Sequence, residues 1–246
     1  MTRALHVTVR EKSFAGTNGA PRIVLRDIDF RVELGEFIAI VGPSGAGKTT
    51  LLKIVAGLDS TFAGSVRLAG AAITATPIGF VFQEPRLLPW RTVFENIALV
   101  LPRHADRSVV TRLLGEIGLA DFAETLPPQL SLGMARRVAL ARALVVEPEL
   151  LLMDEPFVSL DRPTAERLRV LLLTLWRARP CGIIFVTHDL REAVELADRI
   201  LLFSAAPGRL VADIAVPLAR DRRADAAAID TACAAITLRQ GRAACS

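Results

Sequence analysis

Tyrosine is absent from this chain of 246 residues, and aromatic residues together make up only 5%. A surface that stacks successive bases of a nucleic acid needs such rings. Its arginines are scattered, with one short cluster at Arg220, Arg222 and Arg223. The net charge of +4 therefore predicts no nucleic-acid partner, and it suits an anionic membrane surface equally well. Cysteine is scarce too. Cys181, Cys233 and Cys245 are odd in number and lack metal-ligand spacing, which predicts a reduced, cytosolic chain without a cysteine-bound metal. Although 52% of the residues are hydrophobic, no apolar run approaches the roughly 18 residues of a membrane span. The opening MTRALHVTVREKSFAG holds no continuous apolar segment of the kind a secretory signal requires. What is present is ample apolar sequence for a core. At about 150 residues per domain, the length predicts one large domain or one with an embedded subdomain.

The apolar pattern predicts an α/β fold. Residues 3–10 alternate as a strand, Asn18-Gly19-Ala20-Pro21 reads as a turn, and a strand pair is expected around 23–34. Phe37–Val41 is a wholly apolar run of the kind found in buried parallel strands. A helix is expected over 50–56, then strands at 78–82, 150–153 and 183–187, each followed or closed by a polar residue. Strands end this way where their carboxyl ends face a ligand crevice. Residues 85–146 read as mostly helical, with breaks at Pro102, Gly118 and Pro127-Pro128. The tail carries turn signals at Ala206-Pro207-Gly208, then a short strand and a final helix.

Gly42-Pro43-Ser44-Gly45-Ala46-Gly47-Lys48-Thr49 matches G-x-x-x-x-G-K-[ST] between a buried strand and a helix. Glycines let main-chain N–H groups converge on phosphates, and the helix adds its positive end. In such a loop Lys48 reaches the β- and γ-phosphates and Thr49 holds Mg²⁺. Leu150–Glu155 ends in two acids. Asp154 suits the hydrated Mg²⁺, while Glu155 points elsewhere and is free to orient or deprotonate water. His188 closes another apolar strand at the same level, where it reads as a γ-phosphate contact. His6 and His104 have no such context.

Taken in order, these residues resemble the ATP-binding subunit of an ATP-binding cassette (ABC) transporter over essentially the whole chain. The resemblance rests on the loop Gly42–Thr49, Gln83, Leu130-Ser131-Leu132-Gly133-Met134, Asp154-Glu155-Pro156, Ser159-Leu160-Asp161 and Thr187-His188-Asp189. They match the family's Walker A, Q-loop, signature, Walker B, D-loop and H-loop. The resemblance implies a P-loop NTPase fold over residues 1–246 with a mostly parallel core sheet. It adds an N-terminal antiparallel part, a helical insert at about 86–145 and a C-terminal extension from about 205. It further implies that Gly42–Thr49 and Thr50 hold ATP and that Thr49, Gln83 and Asp154 hold Mg²⁺. Glu155, His188 and Gln83 would serve hydrolysis. Ser131, Gly133 and Asp161 would meet the nucleotide of a second copy across an ATP-sandwich homodimer. Phe14 lies where the family stacks an aromatic on adenine, and the plain alternative is a hairpin core residue. The stretches QEPRLLPWRTVFENIAL, MARRVALARAL and HDLREAVELADRI are most similar to importers of nitrate, sulfonate and taurine. That implies integral membrane permease subunits and, indirectly, a periplasmic solute-binding protein, with the chain at the cytoplasmic face of the bacterial inner membrane. Pro89 and Trp90 would lie near the permease's coupling helix, unless Trp90 simply packs within the helical insert.

Two positions depart from the family's pattern. Leu132 stands where the signature carries its first glycine, placing a side chain and a restricted φ where ATP normally approaches. Ala135 stands where a basic residue is common. The alternatives are a soluble ABC ATPase of DNA repair or translation, and a weakly hydrolysing regulatory cassette. The first normally has coiled-coil arms or two cassettes in one chain, and this sequence has neither.

Overall fold

The computed structural model describes residues 4–16, 20–73 and 76–243. The chain divides into two compact units, one of Met1–Thr76 with Gly182–Ser246 and the other of Pro77–Cys181.

The first unit opens with β1 (Ala4–Ala15) and β2 (Pro21–Glu33), antiparallel from Ala4↔Glu33 to Ala15↔Pro21. Leu5, Val7 and Val9 alternate onto the buried face with Ile28, Phe30 and Val32, the period of a half-buried strand. The expected turn falls at Asn18 and Gly19 outside the described residues. The strand pair expected around 23–34 is a single strand. Within it Asp27 adopts φ 53°, a conformation that Asp tolerates better than most residues. Then come β3 (Phe37–Val41), α1 (Lys48–Val55), β4 (Ala63–Leu68) and the two-residue β5 (Ala71–Ala72). The antiparallel sheet runs β2-β1-β4-β5.

The second unit contains β6 (Ile78–Val81), α2 (Val93–Ala98), α3 (Ser108–Glu116), α4 (Leu132–Leu144), β7 (Leu150–Asp154) and α5 (Arg162–Ala178). β6 and β7 are parallel, with Ile78↔Leu150 and Val81↔Met153. Several helix boundaries have a local cause. Thr92 and Glu95 form a reciprocal capping box at the start of α2. Gly118 with φ 66° follows α3, as a left-handed residue does at a helix end. Pro127–Gln129 is a single 3₁₀ turn. Ser131 and Asp161 cap α4 and α5 by accepting from the N–H groups of Met134 and Thr164.

The chain then returns to the first unit with β8 (Gly182–Thr187), α6 (Leu190–Leu196), β9 (Arg199–Phe203), β10 (Leu210–Ala215) and α7 (Ala226–Ala243). There the strand order is β10-β9-β3-β8, with β3 parallel to both neighbours and β10 antiparallel to β9. All of β3 and β8 is buried, and Phe37 meets Phe185 edge-on at 6.3 Å between centroids. Each such side chain contributes about 1.5–3 kcal/mol by leaving water. This is the expected α/β class, with a parallel core, an N-terminal antiparallel part and a helical insert.

Candidate functional site

In the first unit the chain leaves β3 at Gly42 and enters α1 at Lys48. Gly45 and Gly47 adopt φ 78° and 82°, a region that costs other residues steric strain. A Cβ at Gly47 would also lie 2.6 Å from Leu25 Cδ2. No side chain caps α1 at Gly47 and no acidic residue sits in its first turn, so its positive end faces outward without a built-in counter-charge. Lys48 is buried and its Nζ donates to the carbonyls of Gly42 (2.7 Å) and Pro43 (2.8 Å). These bonds fold the ammonium over the loop it would share with a phosphate. Thr49 is exposed and Thr50 half-buried at the rim. The β3–β8 register places Val41 beside Thr187, so His188 stands level with Gly42 and is exposed. Thr187 accepts from the Asp189 N–H and donates to Glu192 at 2.8 Å, which fixes the turn that presents His188.

The same unit holds Phe14, near the end of β1. Its ring is 46% exposed, with Lys12 Nζ 4.4 Å from the centroid. This is not a hairpin core residue. Lys12 is itself buried, donating to Asp59 Oδ1 and to the Thr61 carbonyl, both at 2.8 Å. The ring therefore rests on a fixed cation and offers a face to solvent.

In the second unit, the parallel register brings the end of β7 level with the segment after β6. Asp154 is buried at the strand terminus, Glu155 is half-buried and Gln83 exposed. Glu155 adopts φ 43° and Ser159 φ 63°, conformations that cost a non-glycine residue about 1–3 kcal/mol each. The turn between β7 and α5 is thus held in a shape that local preference does not supply. Asp161 ends it. Hydrogen bonding from Thr164, side chain first and main chain second, holds its carboxyl below the usual range. Ser131 is exposed and Gly133 half-buried at the start of α4.

Among the described residues no cluster of three His, Cys, Asp or Glu side chains could hold a metal. Mg²⁺ needs no such cage, because it binds through one or two carboxylates together with substrate phosphates. A buried strand-end carboxylate and an exposed loop hydroxyl are donors of the right hardness for it.

Residues 25–158 match the ABC transporter family. Aliphatic sulfonates import ATP-binding protein SsuB 2 of Burkholderia lata is 48% identical over 82% of this chain and 75% of its own length. The SsuB of Bacillus licheniformis is 44% identical over 89% of this chain and 88% of its own. The chain belongs to the ABC transporter family. It is the ATP-hydrolysing subunit of an importer of that family. A solved cassette, MJ0796, in a dimeric post-hydrolysis state with ADP and Pi, superposes with a TM-score of 0.74 at 29% identity, covering 87% of this chain and all of that one.

Two readings of the cassette sequence change in the structure. Leu132 is the first residue of α4 with an ordinary helical backbone, so the expected φ restriction is no strain there, and its side chain is 42% exposed. Trp90 is 71% exposed and does not pack within the insert. Its loop is rigid all the same. The buried Asn96 accepts from the Leu88 N–H and donates to the carbonyls of Leu88, Arg91 and Thr92.

Sequence reasoning missed Gly208, read only as a turn residue. It exchanges main-chain hydrogen bonds with β2, its N–H to the Val24 carbonyl and its carbonyl from the Arg26 N–H. A Cβ there would lie 2.0 Å from the Ala46 carbonyl oxygen. Gly208 thus backs the phosphate loop of the cassette from far along the chain. Nothing in the local sequence signals it.

Proposed function

We propose that the chain works as one of two identical cassettes that close around ATP and Mg²⁺ to drive import of an aliphatic sulfonate. The observation that carries this reading is the similarity to SsuB proteins over more than four-fifths of the chain. The partners are integral membrane permease subunits, served on the far side by a periplasmic solute-binding protein. The working place is the cytoplasmic face of the bacterial inner membrane, and no described helix is long and apolar enough to cross it. Residues 1–246 act as a single ABC ATPase domain, with the helical insert at about 86–145 and a C-terminal extension at about 205–246.

In this reading the loop Gly42–Thr50 binds the phosphates through its main-chain N–H groups, of which Pro43 has none, and through the Lys48 ammonium, and Phe14 stacks on adenine. Thr49, Asp154 and Gln83 hold Mg²⁺, which neutralises charge on the phosphate oxygens. Glu155 orients and deprotonates the attacking water, while His188 fixes the γ-phosphate. Ser131, Gly133 and Asp161 reach the nucleotide held by the second copy, so closure waits on ATP and opening on hydrolysis. Trp90 and a groove of about 590 Å³ lined by Phe80, Phe82, Arg86, Leu88 and Leu99 receive the permease. An exposed aromatic on a pinned loop and a mostly apolar groove are the form such a contact takes.

Growth tests the solute. Deleting the coding sequence should abolish growth on ethanesulfonate as sole sulfur source, with restoration by the parental chain and not by a Glu155→Gln chain. Loss confined to taurine or to nitrate would reassign the solute, and unimpaired growth on all three would contradict the import reading.

A further inference from the structure

In the second unit, the side chain of Arg136 is 3% exposed. With Leu140, Met153, Pro156, Phe157, Leu168 and Leu172 it lines an apolar void of only about 10 Å³. Its Nη2 donates to the Val158 carbonyl at 3.0 Å, while Nε and Nη1 meet no hydrogen-bond partner among the described residues. A guanidinium carries five N–H donors, and burying it with most of them unmet is unfavourable. Burial accordingly pulls its pKa down from the usual guanidinium value, with the Glu84 carboxylate acting the other way. A methionine would fill the same apolar space without that cost, so stability alone does not account for the residue.

What the arginine does accomplish is a connection. It sits on α4 five residues after Ser131, and its one bond reaches the turn between Glu155 and Asp161. That turn has two residues in left-handed conformations, at Glu155 and Ser159, and Val158 lies between them. A turn held against local preference needs an outside restraint.

We propose that Arg136 is a positioning residue for ATP hydrolysis, holding the Glu155–Asp161 turn in register with the start of α4 through the Val158 carbonyl. The proposal rests on the placing of Glu155 and Ser131 in the ATP site. Parental turnover in a Glu155→Gln chain would remove that footing without touching Arg136.

The test compares Arg136→Met with Arg136→Gln in the full chain, reading kcat, KM for ATP and Tm together. Methionine keeps the volume and loses the donor. Glutamine keeps an N–H that can reach the same carbonyl. The expected result for Arg136→Met is a kcat at least tenfold lower, with KM unchanged and Tm equal or higher. Arg136→Gln should return kcat to within about threefold of the parent. A residue that only holds the fold together would lower kcat and Tm together, and that result would overturn the proposal. A parental kcat in Arg136→Met would overturn it as well. Should Arg136→Met fail to fold, Arg136→Gln decides alone: a tenfold loss of kcat at unchanged Tm contradicts the proposal.

Discussion

The phosphate loop of the first unit and the start of α4 in the second each offer a helix N-terminus, and they are built in opposite ways. α1 begins at Gly47 with no side-chain cap, on a loop bent by Gly45 and Gly47, and with Lys48 folded over it. α4 begins at Ser131, whose hydroxyl already accepts from the Met134 N–H at 3.2 Å. One terminus leaves its donors to a ligand, and the other partly satisfies its own. The loop is therefore suited to hold nucleotide in a lone chain. The α4 end, with a competing internal acceptor and an exposed Leu132, is proposed to contribute only when a nucleotide is brought to it.

The sharpest way to break this comparison is chemical. Glu155→Gln removes the proposed base and leaves the loop intact, so turnover should fall by roughly 10²–10⁴, with ATP affinity unchanged by equilibrium titration. Near-parental turnover would reject Glu155 as the base. Lys48→Ala strikes the loop itself. Losing a charge-assisted contact worth about 1.5–3 kcal/mol should weaken ATP binding roughly ten- to hundredfold, and unchanged affinity would count against the lysine's role.

A smaller effect is expected behind the loop. Gly208→Ala forces a methyl against the Ala46 carbonyl, a clash of about 1–3 kcal/mol. Both Tm and ATP affinity should drop, whereas parental values for both would mean that the backing is incidental. The smallest effect sharpens the other side. Leu132→Ala keeps the helical backbone and removes the bulk, so ATPase rate and ATP-driven dimerisation should rise several-fold, each tenfold corresponding to about 1.4 kcal/mol. Equal rates would make the departure at Leu132 neutral.

What could be read from the chain follows the same division. The loop is contiguous and bounded by a fully apolar strand, so residue type, spacing and periodicity all point one way at Phe37–Lys48. The breaks at Pro102, Gly118 and Pro127 were legible because each acts through its own backbone. β4 and β5 were not, since AGSVRL is too small and too mixed to show a period and β5 has only two residues; β4 is a strand by pairing with β1, and β5 by pairing with β4. Lys12 with Asp59, Gly208 against Ala46, and Arg136 with Val158 join residues 22 to 162 positions apart in sequence. No local pattern encodes such pairs. Trp90 left two readings open for a different reason: an exposed tryptophan defies its own transfer preference, and only its 71% exposure removes the packed alternative.

The central claim is that the loop binds alone and the α4 end binds only across two copies. Gel filtration of a Glu155→Gln chain, with and without Ser131→Arg, tests it most directly when paired with ATP titration. A dimer is expected with MgATP and a monomer without it. Adding Ser131→Arg should return the monomer in MgATP and leave nucleotide affinity as it was, when titrated at a chain concentration too low for either chain to dimerise, since closure itself tightens apparent ATP binding. A dimer that survives Ser131→Arg, or an affinity that falls with it, would contradict the account.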